Sequence, residues 1–502
     1  MVERRAGAAG AARRRRAAWW PVVAMLAAAL PAGCDGEEAT PARIVAHVLV
    51  PDGVNPLVGL TRLVLTFQKP NVATFVETIP DDVGTRTELV FTYTFPESEA
   101  TAVLEVTAED ATGSVRARGR SIPFDIVSGR TLSVGVLVLT PGQWSLAPAT
   151  LRLATARMLH GAAVTGDGGL MVAGGSTATG VTQTVELFDL NAMAPVPPAD
   201  VPVLPAARSR FAMLALNADQ ILLVGGVTAS TQADLWNGPA ATWTPLPLPA
   251  GVPEVWAGPR FATLGDGSAL LWGGLDGSDA PVSAFVRADA AGLRKLDGTA
   301  DRNDPAGVPI QTPDGLRFLV VGGNEPGMPF AALLDPATGA IEDDLTPSVV
   351  DEVRTRHTVI RVGASRAVVA GGYDATGRLA TSVWIFDGAC LDPAAGCSVW
   401  SAAGPMLAAV GGMADAVGVG IDPGHEDPRA VLVGGVDATD RPVADAVILN
   451  TVTGLAVRYP LRTPRAQGAV VRLPTGQIGY VGGLDAGGNP LDTIELFEPP
   501  AL

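Results

Sequence analysis

Seven glycine doublets that recur at the end of apolar runs, three cysteines and four histidines are the first places to look for chemistry in this sequence. Each doublet ends an apolar run: LMVAGG at Gly174 and Gly175, ILLVGG at Gly225 and Gly226, ALLWGG at Gly273 and Gly274, FLVVGG at Gly322 and Gly323, AVVAGG at Gly371 and Gly372, AVLVGG at Gly434 and Gly435, and QIGYVGG at Gly482 and Gly483. A phosphate cradle would need G-x-G-x-x-G opening a helix, or a glycine loop followed by Lys. None of the doublets has either, so they read as structural: glycine relieves the cost of a positive φ or of close backbone approach.

The remaining candidates point the same way. Aspartates follow several doublets, in GGYDATG, GGVDATD, GGLDAGG and GGLDGSD, with one or two carboxylates each. A calcium loop needs several oxygen ligands at alternate positions; these segments suit Asx turns, and no metal or cofactor is expected. Arg157, Arg208, Arg260, Arg356 and Arg465 recur ahead of the apolar runs. They read as hydrogen-bonding links between repeats, and as the rim on which to seek an anionic ligand. His160 and His357 hold equivalent structural places, while His425, beside Glu426 and Asp427, reads as part of a solvated loop. Nucleophilic catalysis needs a base and an orienting acid around Ser or Cys. No G-x-S-x-G elbow occurs, and no catalytic residue is assigned.

The N-terminus carries an address. Arg4, Arg5 and Arg13 to Arg16 precede the apolar stretch AAWWPVVAMLAAALPAG and then Cys34. That order of basic, apolar and small residues is a secretory signal spanning residues 1–33. LPAGC resembles the lipobox of bacterial lipoproteins, with Pro31 in the place where that pattern has leucine. The resemblance implies lipidation of Cys34 and attachment to a membrane of the cell envelope, periplasmic or surface facing, through the lipid alone. In such an exported protein Cys390 and Cys397, in GACLDPAAGCS, are expected to form a disulfide. The formal charge of −16 excludes nucleic-acid binding through a basic face.

The elements that must position these residues are strands. With 47% hydrophobic residues against 17% charged, the chain is expected to bury a large core. Its 59 glycines and 41 prolines favour short strands and turns over long helices. After a tether at 34–42, residues 43–140 alternate apolar and polar positions in RIVAHVLVP, LTRLVLTFQ, TELVFTYTF, TAVLEVTAE, GSVRARGRS and TLSVGVLVLT. About seven antiparallel strands in a hundred residues predict an immunoglobulin-like β-sandwich.

From residue 141 to 502 the doublets recur at intervals of 51, 48, 49, 49, 63 and 48 residues. A repeat near 50 residues with four short strands is the mark of a propeller blade. Strands such as TVELFDL and SVWIFDG follow the doublets, then tryptophan and proline segments such as ATWTPLPLP and CSVWSAAGP. This pattern resembles the kelch family, whose members include the galactose-oxidase-like central propeller, and implies an all-β, seven-bladed kelch-like β-propeller behind the sandwich. GQWSLAPA is expected to supply the strand that the last repeat, ending TIELFEPPAL, lacks. The long interval holds two insertions, the cysteine loop and IDPGHEDPR, both expected on the rim opposite the doublets, and the cysteine loop is where the search for function is expected to begin.

Copper-radical chemistry of the galactose oxidase kind needs a cysteine-linked tyrosine. Tyr93, Tyr373, Tyr459 and Tyr480 are the only tyrosines, and no cysteine is free for them. Sialidase-like Asp boxes are absent. The expected protein is therefore a monomeric, non-catalytic binder of a protein or glycan partner in the envelope. The alternatives are a carbohydrate-active kelch-type enzyme (mutarotase, epimerase or lyase) and a structural component of an envelope assembly.

Overall fold

The computed structural model describes residues 40–501 except 70–71, 97, 228–231, 300–301, 303, 324–328, 344, 346–352, 393, 395, 405, 423 and 425–426. The signal segment, Cys34 and most of the tether lie outside the described residues, as do His425 and Glu426. Among the described residues the chain is all-β, with only short 3-10 turns beside the strands. None of the helices among the described residues is long and apolar enough to cross a membrane.

Seven four-stranded antiparallel sheets follow one another from Trp144 to Phe497. Their first strands are Gly161–Val164, Ala212–Asn217, Arg260–Thr263, Ala306–Thr312, Thr358–Val362, Val417–Gly420 and Ala469–Arg472. Each first strand lies against that of the next sheet, and the seventh lies against the first, which closes the series into a β-propeller-like ring. The last four residues of each second strand are buried and free of charge, as in Leu170–Ala173 and Ile478–Val481. Strands flank them within the sheet and other sheets cover both faces, so they read as continuous hydrophobic runs. Trp144–Leu146 pairs antiparallel with Ile494–Phe497 and completes the seventh sheet as its outer strand.

Residues 42–137 form two sheets around one apolar core. Three strands, Glu88–Phe95, Ala42–Leu49 and Thr131–Leu137, make one sheet. Arg62–Gln68, Ala73–Thr78, Glu99–Glu109, Val115–Arg120 and Phe124–Ile126 make the other. Here the expectation of a purely antiparallel set fails: Ala42–Leu49 and Thr131–Leu137 pair in parallel. A parallel pair needs a long crossover, and the six strands between them supply it.

The sandwich abuts the rim of the ring opposite the doublets. Ile122, Leu137 and Leu139 share a core with Leu170, Phe188 and Leu473. Gln477 donates its side-chain amide to the Leu137 carbonyl at 3.0 Å, and the Gly135 N–H reaches the Asn191 carbonyl at 2.7 Å.

Candidate functional site

Six of the seven junctions between neighbouring sheets show one arrangement among the described residues, and it explains both the doublets and the arginines. Gly371 and Gly372 have φ of 70° and 82°, a region that strains L side chains. The Gly372 N–H donates to the Met413 carbonyl of the next sheet at 2.6 Å. A Cβ on Gly371 would collide with that carbonyl, and one on Gly372 with the Thr355 carbonyl of its own sheet. The same bond joins Gly175 to Arg208 and Gly483 to Arg157, at 2.8 and 2.9 Å. The doublet is the seam of the ring.

The residue whose carbonyl receives this bond turns its side chain back into its own sheet. Arg157 donates to the Gly174 carbonyl at 2.9 Å and to Glu186 at 2.5 Å. Arg465 reaches the Gly482 carbonyl at 3.2 Å and Glu495 at 2.7 Å. Arg208 pairs with Asp234, and Arg354 bonds Ser382 Oγ at 2.6 Å. Arg157, Arg208, Arg354 and Arg465 are fully buried. The expectation of inter-repeat links holds for the side chains of Arg260 and Arg356 and needs correction for Arg157, Arg208 and Arg465: these side chains bond partners of their own sheet, and their backbones bridge two. Nor do they form a rim for ligands, because no solvent reaches them.

Arg260 and Arg356 belong to different positions. The structural arginine lies 17 residues before the first glycine of the doublet in the first, second, fifth and seventh sheets. In the third sheet that place is held by Trp256, whose indole N–H donates to the Gly273 carbonyl at 2.5 Å. The fourth sheet has a longer first hairpin, and Arg302 reaches Gly322 over 20 residues. Arg354, not Arg356, is the fifth-sheet equivalent. Counting this offset in the sequence separates the two kinds of arginine.

Two residues after each structural position the chain turns left-handed into the first strand. Leu159, Arg210, Gly258, Asp304, Arg356, Asp415 and Gln467 have φ between 51° and 67°. Four hydrogen bonds join these backbones between neighbouring sheets at the mouth of the ring. Leu159 N–H donates to the Gln467 carbonyl at 2.8 Å, Arg210 to Leu159 at 2.9 Å, Gly258 to Arg210 at 2.5 Å and Asp415 to Arg356 at 3.0 Å. One backbone conformation thus presents seven unlike side chains, a strained and repeated feature of the kind found at functional sites.

Charge at this mouth is paired across sheets. Arg260 grips Asp304 with two bonds of 3.0 Å and reaches the His357 carbonyl at 3.4 Å. Arg356 pairs with Asp415 and, at 2.9 Å, with Asp440, and lies 5.3 Å from the Tyr373 ring centre. Hydrogen bonding to Asp415 holds the Arg356 guanidinium above its usual value. Burial pushes the Tyr373 hydroxyl up, with Arg356 opposing and the nearby aspartates assisting. Arg210 is exposed. Tyr373 and Asp440 come from the turns that follow the doublets. In those turns one oxygen of Asp374 accepts from Thr376 N, Thr376 Oγ1 and Arg378 N at 2.7 to 3.0 Å. Those bonds hold Asp374 below the ordinary carboxylate range, as an Asx turn requires. Among the described residues no group of three metal-ligating side chains converges.

Cys390 and Cys397 are bonded in the loop between the third and fourth strands of the fifth sheet, on the rim opposite the mouth. The insertion in the sixth sheet has a structural task. Asp427 holds Arg429 in two bonds of 2.9 and 2.7 Å, and Arg429 donates to the Pro500 carbonyl at 2.8 Å. The buried rings of His160 and His357 pack at two of the seams, against Gly482 and Gly322.

No protein-family profile and no curated protein sequence matches this chain. Among solved structures it is similar to that of YjhT, with 15% identity and a TM-score of 0.43 over 59% of this chain and 96% of that one.

Proposed function

We propose that this is an exported protein, lipid-anchored at Cys34, in which an immunoglobulin-like sandwich carries a seven-bladed kelch-like propeller that binds a protein or glycan of the cell envelope without catalysing its turnover. The observation that carries this reading is the mouth of the ring. Seven positions share a left-handed backbone, yet their side chains run from leucine through glycine to both signs of charge. A rigid scaffold with side chains that vary at one rim is how loop-built recognition surfaces work. The guanidinium and carboxylate groups there neutralise one another instead of standing poised for proton transfer, which supports binding over chemistry.

A glycan array, followed by crosslinking in the native envelope, tests it. Arg210→Glu and Arg356→Ala are expected to abolish retention of the same glycan or crosslinked partner while leaving thermal unfolding within a few degrees of the parent. Turnover of a sugar substrate, lost on one such substitution, would overturn the non-catalytic reading. It would instead favour the carbohydrate-active alternative, for which the Tyr373 hydroxyl beside Arg356 is the one observation in favour. Anchoring is tested by palmitate labelling: label is expected in the parent and not in Cys34→Ser.

A further inference from the structure

We infer that the sandwich and the ring move as one rigid body, locked by a clasp on residues 498–500, so that the sandwich is a fixed standoff holding the doublet rim away from Ala42. Two domains joined by a short link swing by default unless their interface is extensive and apolar. Here four independent features oppose swinging. Ile122, Leu137 and Leu139 of the sandwich side are buried in the same core as Leu170, Phe188 and Leu473 of the ring. A backbone bond crosses the junction from Asp52 N–H to the Leu146 carbonyl at 3.1 Å.

The third feature is close approach. A Cβ on Gly135 would lie 2.6 Å from the Asn191 carbonyl, so the two backbones meet with no room for adjustment. The fourth is the clasp. Arg118, on the sandwich, holds Glu498 at 2.7 Å and the Pro499 carbonyl at 2.5 Å. Arg429, on the ring, holds the Pro500 carbonyl at 2.8 Å. The last residues of the chain are thereby gripped from both sides.

The direction follows from strand register. Ala42–Leu49 and Thr131–Leu137 run in parallel toward the ring, where the Leu137 carbonyl accepts from Gln477 and the Leu49 carbonyl from Val138. Seven residue steps of strand put Ala42 about 23 Å from Leu49, on the side remote from the ring. The ring meets the sandwich through the rim opposite its doublets, so the mouth faces the other way. This holds whatever the mouth binds.

Spin labels attached through non-cysteine chemistry at Thr74 and Ala375 of the full chain test the inference by pulsed electron resonance. One narrow distance distribution is expected in the parent. Broadening is expected in Gly135→Ala and in the pair Arg118→Ala, Arg429→Ala. A broad or two-peaked distribution in the parent overturns the rigid body, and this reading does not depend on whether a variant folds. A narrow parent whose distribution is unchanged in the folded arginine pair overturns the clasp.

Discussion

Arg465 and Glu495 are both fully buried, and the pair recurs in some repeats and not in others: Arg354 and Arg302 have Trp384 and Ala332 at the matching third-strand place. Where the structural position is Arg157, Arg208 or Arg465, the third strand offers Glu186, Asp234 or Glu495. The third sheet has Trp256 there, and its matching third-strand residue is Val286; the sixth has Met413 with Val447, as the pairing of Leu271 with Val286 and Leu432 with Val447 defines. Breaking a buried pair strands a charge, at a cost of about 3–5 kcal/mol. Arg465→Met is therefore expected to destabilise by that order in denaturant unfolding, and Arg465→Met with Glu495→Val by clearly less. His160 provides a second test. Burial, assisted by Arg157, pushes its ring down to about 3 from 6.5, and neither ring nitrogen has a hydrogen-bond partner. The fold thus holds the neutral form, so stability is full above pH 6.5 and is lost as pH falls from there toward 3. At pH 5 the loss from this residue is roughly 2 kcal/mol. His160→Phe, which imitates Phe211 in the second sheet, is expected to shrink the difference in melting temperature between pH 7 and pH 5. The arginines were visible in the sequence as a recurrence. Their roles were not, because a shift of two residues separates a sealed guanidinium from one at the mouth, and only the offset to the doublet distinguishes them.

At the scale of the element, spacing was the legible quantity. The doublet intervals mark out the seven sheets, since a strand ending in a crowded seam must end in glycine each time. What spacing misses is the parallel pair in the sandwich: alternation reports which face of a strand is buried, not which neighbour it hydrogen-bonds. It also misses the mouth, because left-handed φ at Leu159, Asp304 or Arg356 has no residue signature. The seam itself can be tested by comparing two glycines of similar φ. Gly377 has φ of 75° with open space where a Cβ would go, whereas Gly434 has φ of 63° and would place a Cβ 2.7 Å from the Arg465 carbonyl. Gly377→Ala is expected to cost about 1–2 kcal/mol from backbone strain alone. Gly434→Ala adds a collision with backbone of the next sheet and is expected to cost distinctly more. Equal losses in chemical denaturation would mean that φ, and not close approach, fixes the doublets.

Over the whole molecule the decisive junction is where the chain enters the ring. Trp144 comes immediately after the sandwich, yet it is buried and stacks on Phe497 with ring centres 5.0 Å apart. The strand it belongs to is the outer member of the seventh sheet, so a break there opens the contact between the last repeat and the first. Replacing a buried tryptophan by alanine costs about 3–5 kcal/mol wherever it occurs. In a ring the consequence also depends on place. Trp243, half-buried on the fourth strand of the second sheet, packs against Trp236 of the same sheet at 5.1 Å; its loss loosens one sheet whose neighbours remain joined by their doublet bonds. Trp144→Ala instead weakens the strand that carries the start of the repeat series into its last sheet. Hydrogen exchange distinguishes the two. In Trp144→Ala, protection is expected to fall together in Gly161–Val164, Ala469–Arg472 and at Gly142, whose N–H donates to the Glu498 carbonyl of the clasp, because closure, docking and clasp share that junction. In Trp243→Ala the loss is expected to stay within the second sheet. A Trp144→Ala protein whose first strands keep their protection would mean that the doublet seams alone hold the ring closed.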